Sequence, residues 1–201
     1  MFGFVRLILG CVVLASVFGM IHKNPLRRIS QYFIAVIFVF ALVFVSVFLP
    51  VENLILTFET PESAYQYVSF GPADVKLVVN GKHSDLVVGY KNGADELLII
   101  PRNEQGYKVG IGTDTREIAQ KVVDNVIIQV FQYKNTDDYY LVVANTSSGM
   151  VDITDSYESD YIYQESHNKI LDEVYFTYYA SLPDFDETYW VSINGEVVWL
   201  S

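Results

Sequence analysis

The chain has 201 residues, 51% of them apolar in type, a mean hydropathy of +0.25 and a formal net charge of −11. Its first 50 residues carry Arg6, Lys23, Arg27 and Arg28 and no acidic residue, whereas all 24 acidic residues follow Pro50. That division excludes an ordinary cytosolic enzyme, and the acidic balance after Pro50 argues against nucleic-acid binding, which wants a basic surface.

Two apolar stretches come first. One runs over residues 2–21, broken only by Arg6, and the other runs over residues 32–49 without a charge. At 1.5 Å per residue the second is about 27 Å long, close to the hydrocarbon thickness of a bilayer. The pattern predicts a two-helix transmembrane hairpin in residues 1–50, with the lipid bilayer as its partner. The connecting residues 22–31 hold Lys23, Arg27 and Arg28. The positive-inside rule puts this loop in the cytoplasm and both termini outside, as a multi-pass protein of the cell membrane. Cys11, Ala15 and Gly19 recur every four residues, a small-residue ridge against which the second helix is expected to approach. Cys11 is the only cysteine, so residues 51–201 have neither a disulfide nor thiol chemistry.

Residues 51–201 read as an acidic, β-rich extracytoplasmic domain of antiparallel meanders, α+β in class. Thr60-Pro61-Glu62 is a helix start, with Thr as N-cap, Pro in the first turn and Glu favoured by the helix dipole. The helix is expected to end before Gly71-Pro72. Asn-Gly pairs at 80–81, 92–93 and 194–195 signal two-residue hairpin loops. Taken so, Val79 opposes Lys82, Val75 opposes Leu86, Val88 opposes Leu97 and Leu86 opposes Ile99. This register gathers Val75, Leu77, Val79, Leu86, Val88, Leu97 and Ile99 on one face. A strand over residues 107–111 and a short helix over residues 114–121 follow. Residues 126–131 and 139–143 read as a hairpin, and residues 174–179 and 189–200 supply three more strands.

Around Thr60-Pro61-Glu62-Ser63-Ala64-Tyr65 and the meander behind it, about residues 58–111, the sequence resembles small membrane-anchored proteins of Gram-positive bacteria. Those follow a transmembrane segment with a Thr-Pro-Glu-x-Ala-aromatic start and a β-rich exported domain. The resemblance implies a location and supplies no site residues.

No catalytic motif stands out. His83 and His167 have no second histidine or cysteine at ligand spacing, and there is no Gly-x-Ser-x-Gly elbow. Asp184, Asp186 and Glu187, between two strands, are a candidate calcium loop, since hard oxygens outside cells select that ion. A second acidic stretch, with Asp152, Asp155, Glu158 and Asp160 within nine residues, is open to the same two readings, a calcium loop or, as expected here, a solvated one. Tyrosine is abundant after Pro50, and Tyr161 and Tyr163 are candidates for a binding surface. In the last hairpin Trp190 falls directly across from Trp199, at a non-hydrogen-bonded pair. Val191, Ile193, Val198 and Leu200 take the opposite face, which is expected to be the core side. The two tryptophans form either a clamp, covered by the helix from Pro61, or an exposed platform. The function expected from these features is a non-enzymatic binding module of the cell envelope, recognising another membrane or cell-wall component. The alternative is an exported hydrolase acting on cell-wall or lipid material, with His83 or His167 as base.

Overall fold

A computed structural model describes residues 4–23, 28–48, 51–69, 74–91, 94–109, 115–168 and 173–200. Two helices open the chain, α1 (Phe4–Lys23) and α2 (Arg28–Phe48), and they touch each other. A single 3₁₀ turn, Val51–Leu54, leads to α3 (Pro61–Ser69). Its start is capped as the sequence demands: the Ser63 N–H donates to Thr60 Oγ1 at 3.3 Å.

The rest is β-rich, in three antiparallel sheets stacked as layers. The first sheet has the order β1 (Asp74–Asn80), β2 (Ser84–Lys91), β3 (Ala94–Asn103), β4 (Gly106–Tyr107). The second has the order β5-β6-β7-β10-β9, from β5 (Thr115–Val123), β6 (Val126–Tyr133), β7 (Tyr139–Asn145), β9 (Ile162–Asn168) and β10 (Glu173–Leu182). The third runs β12-β11-β8, from β8 (Ile153–Asp155), β11 (Trp190–Ile193) and β12 (Glu196–Trp199).

Three apolar clusters hold the layers together. Ala64 and Tyr65 of α3 press on Val87 and Ile100 at the outer face of the first sheet. Gly89 is required there, because the Tyr65 ring lies where a Cβ would stand. The inner face, with Val79, Leu86, Val88 and Ile99, meets Tyr140, Val142 and Tyr179 of the second sheet. The second sheet's other face, with Ile128, Val130, Leu141, Val143 and Ala180, meets Tyr189, Val191, Ile193 and Leu200. The second sheet is thus covered on both sides, and its strand β7 carries four consecutive buried residues, Tyr140 to Val143.

The transmembrane hairpin is corrected. Among the described residues, no helix is long and apolar enough to cross a membrane. In α1 the unbroken apolar run between Arg6 and His22 covers only about 22 Å, and in α2 the run after Gln31 covers about 26 Å, against about 30 Å of hydrocarbon. With the spans goes the expected multi-pass arrangement with both termini outside. The connection, residues 24–27, with Arg27, lies outside the described residues, as do the side chains of Lys23 and Arg28. The small-residue ridge is corrected too. Cys11, Ala15 and Gly19 are exposed, and among the described residues of α1 the buried positions are Gly10 and Val17.

Three further expectations change. Residues 115–123 are strand β5 instead of a helix: pairing along β6 satisfies their backbone from Thr115↔Tyr133 to Val123↔Val126. The expected strand over residues 107–111 shrinks to the two-residue β4, and residues 110–114 lie outside the described residues. Around Asn80-Gly81 the register is Asn80↔Asp85 and Val79↔Leu86, so the loop between the strands is Gly81-Lys82-His83. The slip is even in number, so Leu77, Val79, Leu86, Val88 and Ile99 keep one face. Val75 leaves that face through a bulge before Leu77 and joins the α3 cluster. The β2–β3 register, Val88↔Leu97 and Leu86↔Ile99, agrees with the turn expected at residues 92–93, themselves outside the described residues.

Candidate binding site on the outer sheet

Asn194 and Gly195 have φ of 51° and 87°, the left-handed pair that a type I′ hairpin needs. That turn sets Ile193↔Glu196, Ser192↔Val197, Val191↔Val198 and Trp190↔Trp199. Alternation then sorts the sheet. Val191, Ile193, Val198 and Leu200 are buried against the second sheet. Trp190, Ser192, Val197 and Trp199 point the other way, joined by Thr154 of β8, which pairs with Ser192. Among the described residues, the paired strand positions of this outer face carry no ionisable side chain, in a chain with 24 acidic residues. Trp199 is 53% exposed and Val197 50%. The expected cover is corrected: α3 sits on the first sheet, so it does not shield the tryptophans.

The platform is held from behind. The Ser156 N–H donates to Trp190 O at 3.1 Å, and the Asn194 N–H donates to Asp152 O at 2.8 Å. Asn194 Oδ1 in turn accepts the Asp152 N–H at 2.9 Å. Beside Trp190 the carboxylate of Asp155 is buried, and it is satisfied by four donors. Its Oδ2 accepts the hydroxyls of Tyr161 at 2.8 Å and Tyr189 at 3.0 Å, and its Oδ1 accepts the N–H groups of Tyr157 and Ser159. Burial pushes this carboxyl up, but the bonds from Ser159, Tyr161 and Tyr189 outweigh it and hold the group below its ordinary value. Burial and the same carboxylate push both tyrosine hydroxyls far up.

Of the expected site residues, the structure brings Trp190 and Trp199 together. Tyr161 belongs to the support beneath them. Tyr163 lies in β9 of another sheet, 51% exposed, against Phe176 and Tyr178. Asp155, expected in a solvated loop, is interior, and nothing local in the sequence marks it except its place beside three tyrosines. The candidate calcium loop is closed on itself. Asp184 Oδ1 accepts the Phe185 N–H, and Asp186 Oδ1 accepts both the N–H and the hydroxyl of Thr188, bonds that lower the Asp186 carboxyl. Among the described residues no group of three or more His, Cys, Asp or Glu side chains is arranged to hold a metal.

The hydrolase reading meets its own geometry at the loop after β1. His83 Nε2 lies 3.3 Å from Asp137 Oδ1, and Lys82 Nζ lies 2.7 Å from Asp137 Oδ2. The neighbouring Ser84 is fully buried: its hydroxyl donates to Asp138 Oδ2 at 2.7 Å and lies 2.9 Å from the Tyr140 hydroxyl. Asp138 also accepts the N–H groups of Lys82 and His83, each at 2.8 Å. The loop therefore offers a His–Asp pair with its serine turned inward. His167 lies in edge strand β9, within the polar stretch of residues 164–168. No known family, curated protein or solved structure matches the chain.

Proposed function

We propose that the chain is a non-catalytic binding module of the cell envelope, which recognises a neutral glycan on the outer face of its third sheet. The supporting observation is the uncharged strip of Trp190, Trp199, Val197, Ser192 and Thr154 on an otherwise acidic chain. Indole faces stack on the apolar faces of sugar rings, and indole N–H groups and hydroxyls supply directed hydrogen bonds. The acidic balance repels nucleic acid. The structural clamp is the competing account of the tryptophans, worth up to about 1 kcal/mol as a cross-strand pair.

The test replaces both tryptophans by Ser and measures sedimentation with isolated cell walls freed of membrane lipid. A folded variant that no longer sediments supports the platform. A folded variant that binds as before contradicts it, and a variant that unfolds assigns the pair to the clamp. In the last case Trp199→Tyr, which keeps an aromatic face, separates stacking from folding.

The N-terminal helices support a second partner, a lipid surface. Phe18, Phe33, Phe40 and Phe44 are exposed on α1 and α2, and each forgoes about 1.5–3 kcal/mol if left in water. Contact with lipid requires no helix to cross it. The hydrolase reading rests on the His83–Asp137 pair, and the inward Ser84 weighs against it. Substituting His83 and His167 together leaves envelope binding unchanged on the binding-module reading.

A further inference from the structure

The segment after the 3₁₀ turn is pinned on both sides of two aliphatic residues. Before them, Asn53 Nδ2 donates to Val109 O at 2.9 Å and Asn53 Oδ1 accepts the Val109 N–H at 2.7 Å, a side chain imitating a strand partner. After them, Phe58 and Tyr107 exchange backbone hydrogen bonds of 3.0 and 2.9 Å. Lys108 Nζ ties the two sides, donating to Asn53 O at 3.4 Å, Leu56 O at 3.3 Å and Thr57 Oγ1 at 2.5 Å. Between these anchors Leu54 and Ile55 are thrust outward, 87% and 71% exposed, and Leu54 is the most exposed large apolar side chain among the described residues. A free segment would fold such side chains onto the nearest apolar surface. This one is built so that they cannot.

We propose that Leu54 and Ile55 form a lipid-contacting tip, with the Lys108 ammonium at the level of anionic headgroups. The inference rests on the reading of α1 and α2 as lipid partners. Three features select lipid over a protein partner. The tip is a convex pair of aliphatic side chains. It is continuous with the exposed apolar helices, because the 3₁₀ turn follows α2 and touches α1. Among the described residues the ammonium at its base is bound by neutral oxygens, which leave its charge unneutralised and available to a phosphate. The strongly acidic β-rich part is repelled by the same headgroups, which leaves the tip as the part of it that approaches.

The experiment uses the full chain with Cys11→Ser and a single new cysteine, at Leu54, Phe18 or Glu187, labelled with an environment-sensitive dye. Vesicles of phosphatidylcholine with or without phosphatidylglycerol are added. The expected result is a blue shift at positions 54 and 18 that doxyl lipid quenches, and none at 187. Lys108→Gln is expected to reduce the shift at 54 with phosphatidylglycerol present and to leave it unchanged in phosphatidylcholine alone. A shift at 18 without one at 54 overturns the tip and leaves the helix reading standing. No shift at either overturns both. A shift at 54 without vesicles, growing with protein concentration, replaces lipid by a second copy of the chain.

Discussion

The loop after β1 and the turn between β11 and β12 each contain Asn-Gly, yet each glycine answers to different neighbours. Gly195 has a φ of 87° and open space where a Cβ would be, so only backbone conformation demands glycine there. Gly81 has no positive φ, but a Cβ on it would overlap the Tyr140 hydroxyl and the Ser84 carbonyl. At the second turn nothing competes with the local preference, and a two-residue hairpin forms. At the first, the carboxylate of Asp138 draws the N–H groups of Lys82 and His83 to itself, and the chain loops out over the three residues Gly81-Lys82-His83. Turn chemistry decides register only where no buried group outbids it.

The largest expected effect breaks the first region. Asp138→Ala strands two backbone donors and the Ser84 hydroxyl in a buried place, at a cost of about 3 kcal/mol or more. Chemical denaturation measures it. The exposed neighbour Asp137→Ala is expected to move the midpoint little, since surface pairs contribute about 0–1 kcal/mol. Equal losses at both positions would remove the account of why this loop ignores its Asn-Gly.

Next come the glycines. Gly81→Ala is expected to cost about 1–3 kcal/mol by overpacking, and Gly195→Ala about 1–2 kcal/mol by backbone strain. Asn sharpens the contrast, because it tolerates the left-handed region: Gly195→Asn recovers much of the loss, while Gly81→Asn is worse than Ala. Thermal melts of the four variants check this, and the same rank order at both sites would erase the distinction.

The support behind the tryptophans predicts a pH signature. The folded Asp155 carboxyl lies below its unfolded value of about 4, so its contribution is present above that pH and lost as pH falls through the folded value. Asp155→Asn should flatten the acid limb of the stability profile, measured by urea midpoints between about pH 2 and 6. At the other end burial, aided by Asp95, pushes Tyr179 up to about 12. Its contribution is present below the unfolded value near 10 and lost as pH rises from there toward 12.

Much of the β-rich part is legible from alternation and turns, for reasons local to each hairpin. Trp190 lies across from Trp199 because its turn at residues 194–195 is unopposed, and Val88 lies across from Leu97 in the expected register. Strand β5 is hidden because Glu117, Ala119, Gln120 and Lys121 favour a helix, and only pairing with β6 decides otherwise. Asp155 reads as a surface residue until the Tyr161 and Tyr189 hydroxyls close on it, and Asp138 is buried by donors from the distant residues 82–84. The N-terminal apolar runs are legible as helices, and their reading as spans fails on length among the described residues.

The smallest stability effect belongs to the site itself. Trp199→Ser should lower stability by about 1 kcal/mol or less, since the ring stands on the solvent side, while abolishing binding to cell walls freed of membrane lipid. The most direct measurement uses the fact that Trp190 and Trp199 are the only tryptophans in the chain. Intrinsic fluorescence of the full protein is followed while soluble cell-wall glycan fragments are added, with acrylamide as a quencher. The account predicts a saturable change in emission and protection of the indoles from acrylamide, both lost in Trp199→Ser. Unchanged emission and unchanged quenching at glycan concentrations that hold the protein on the cell wall would contradict it.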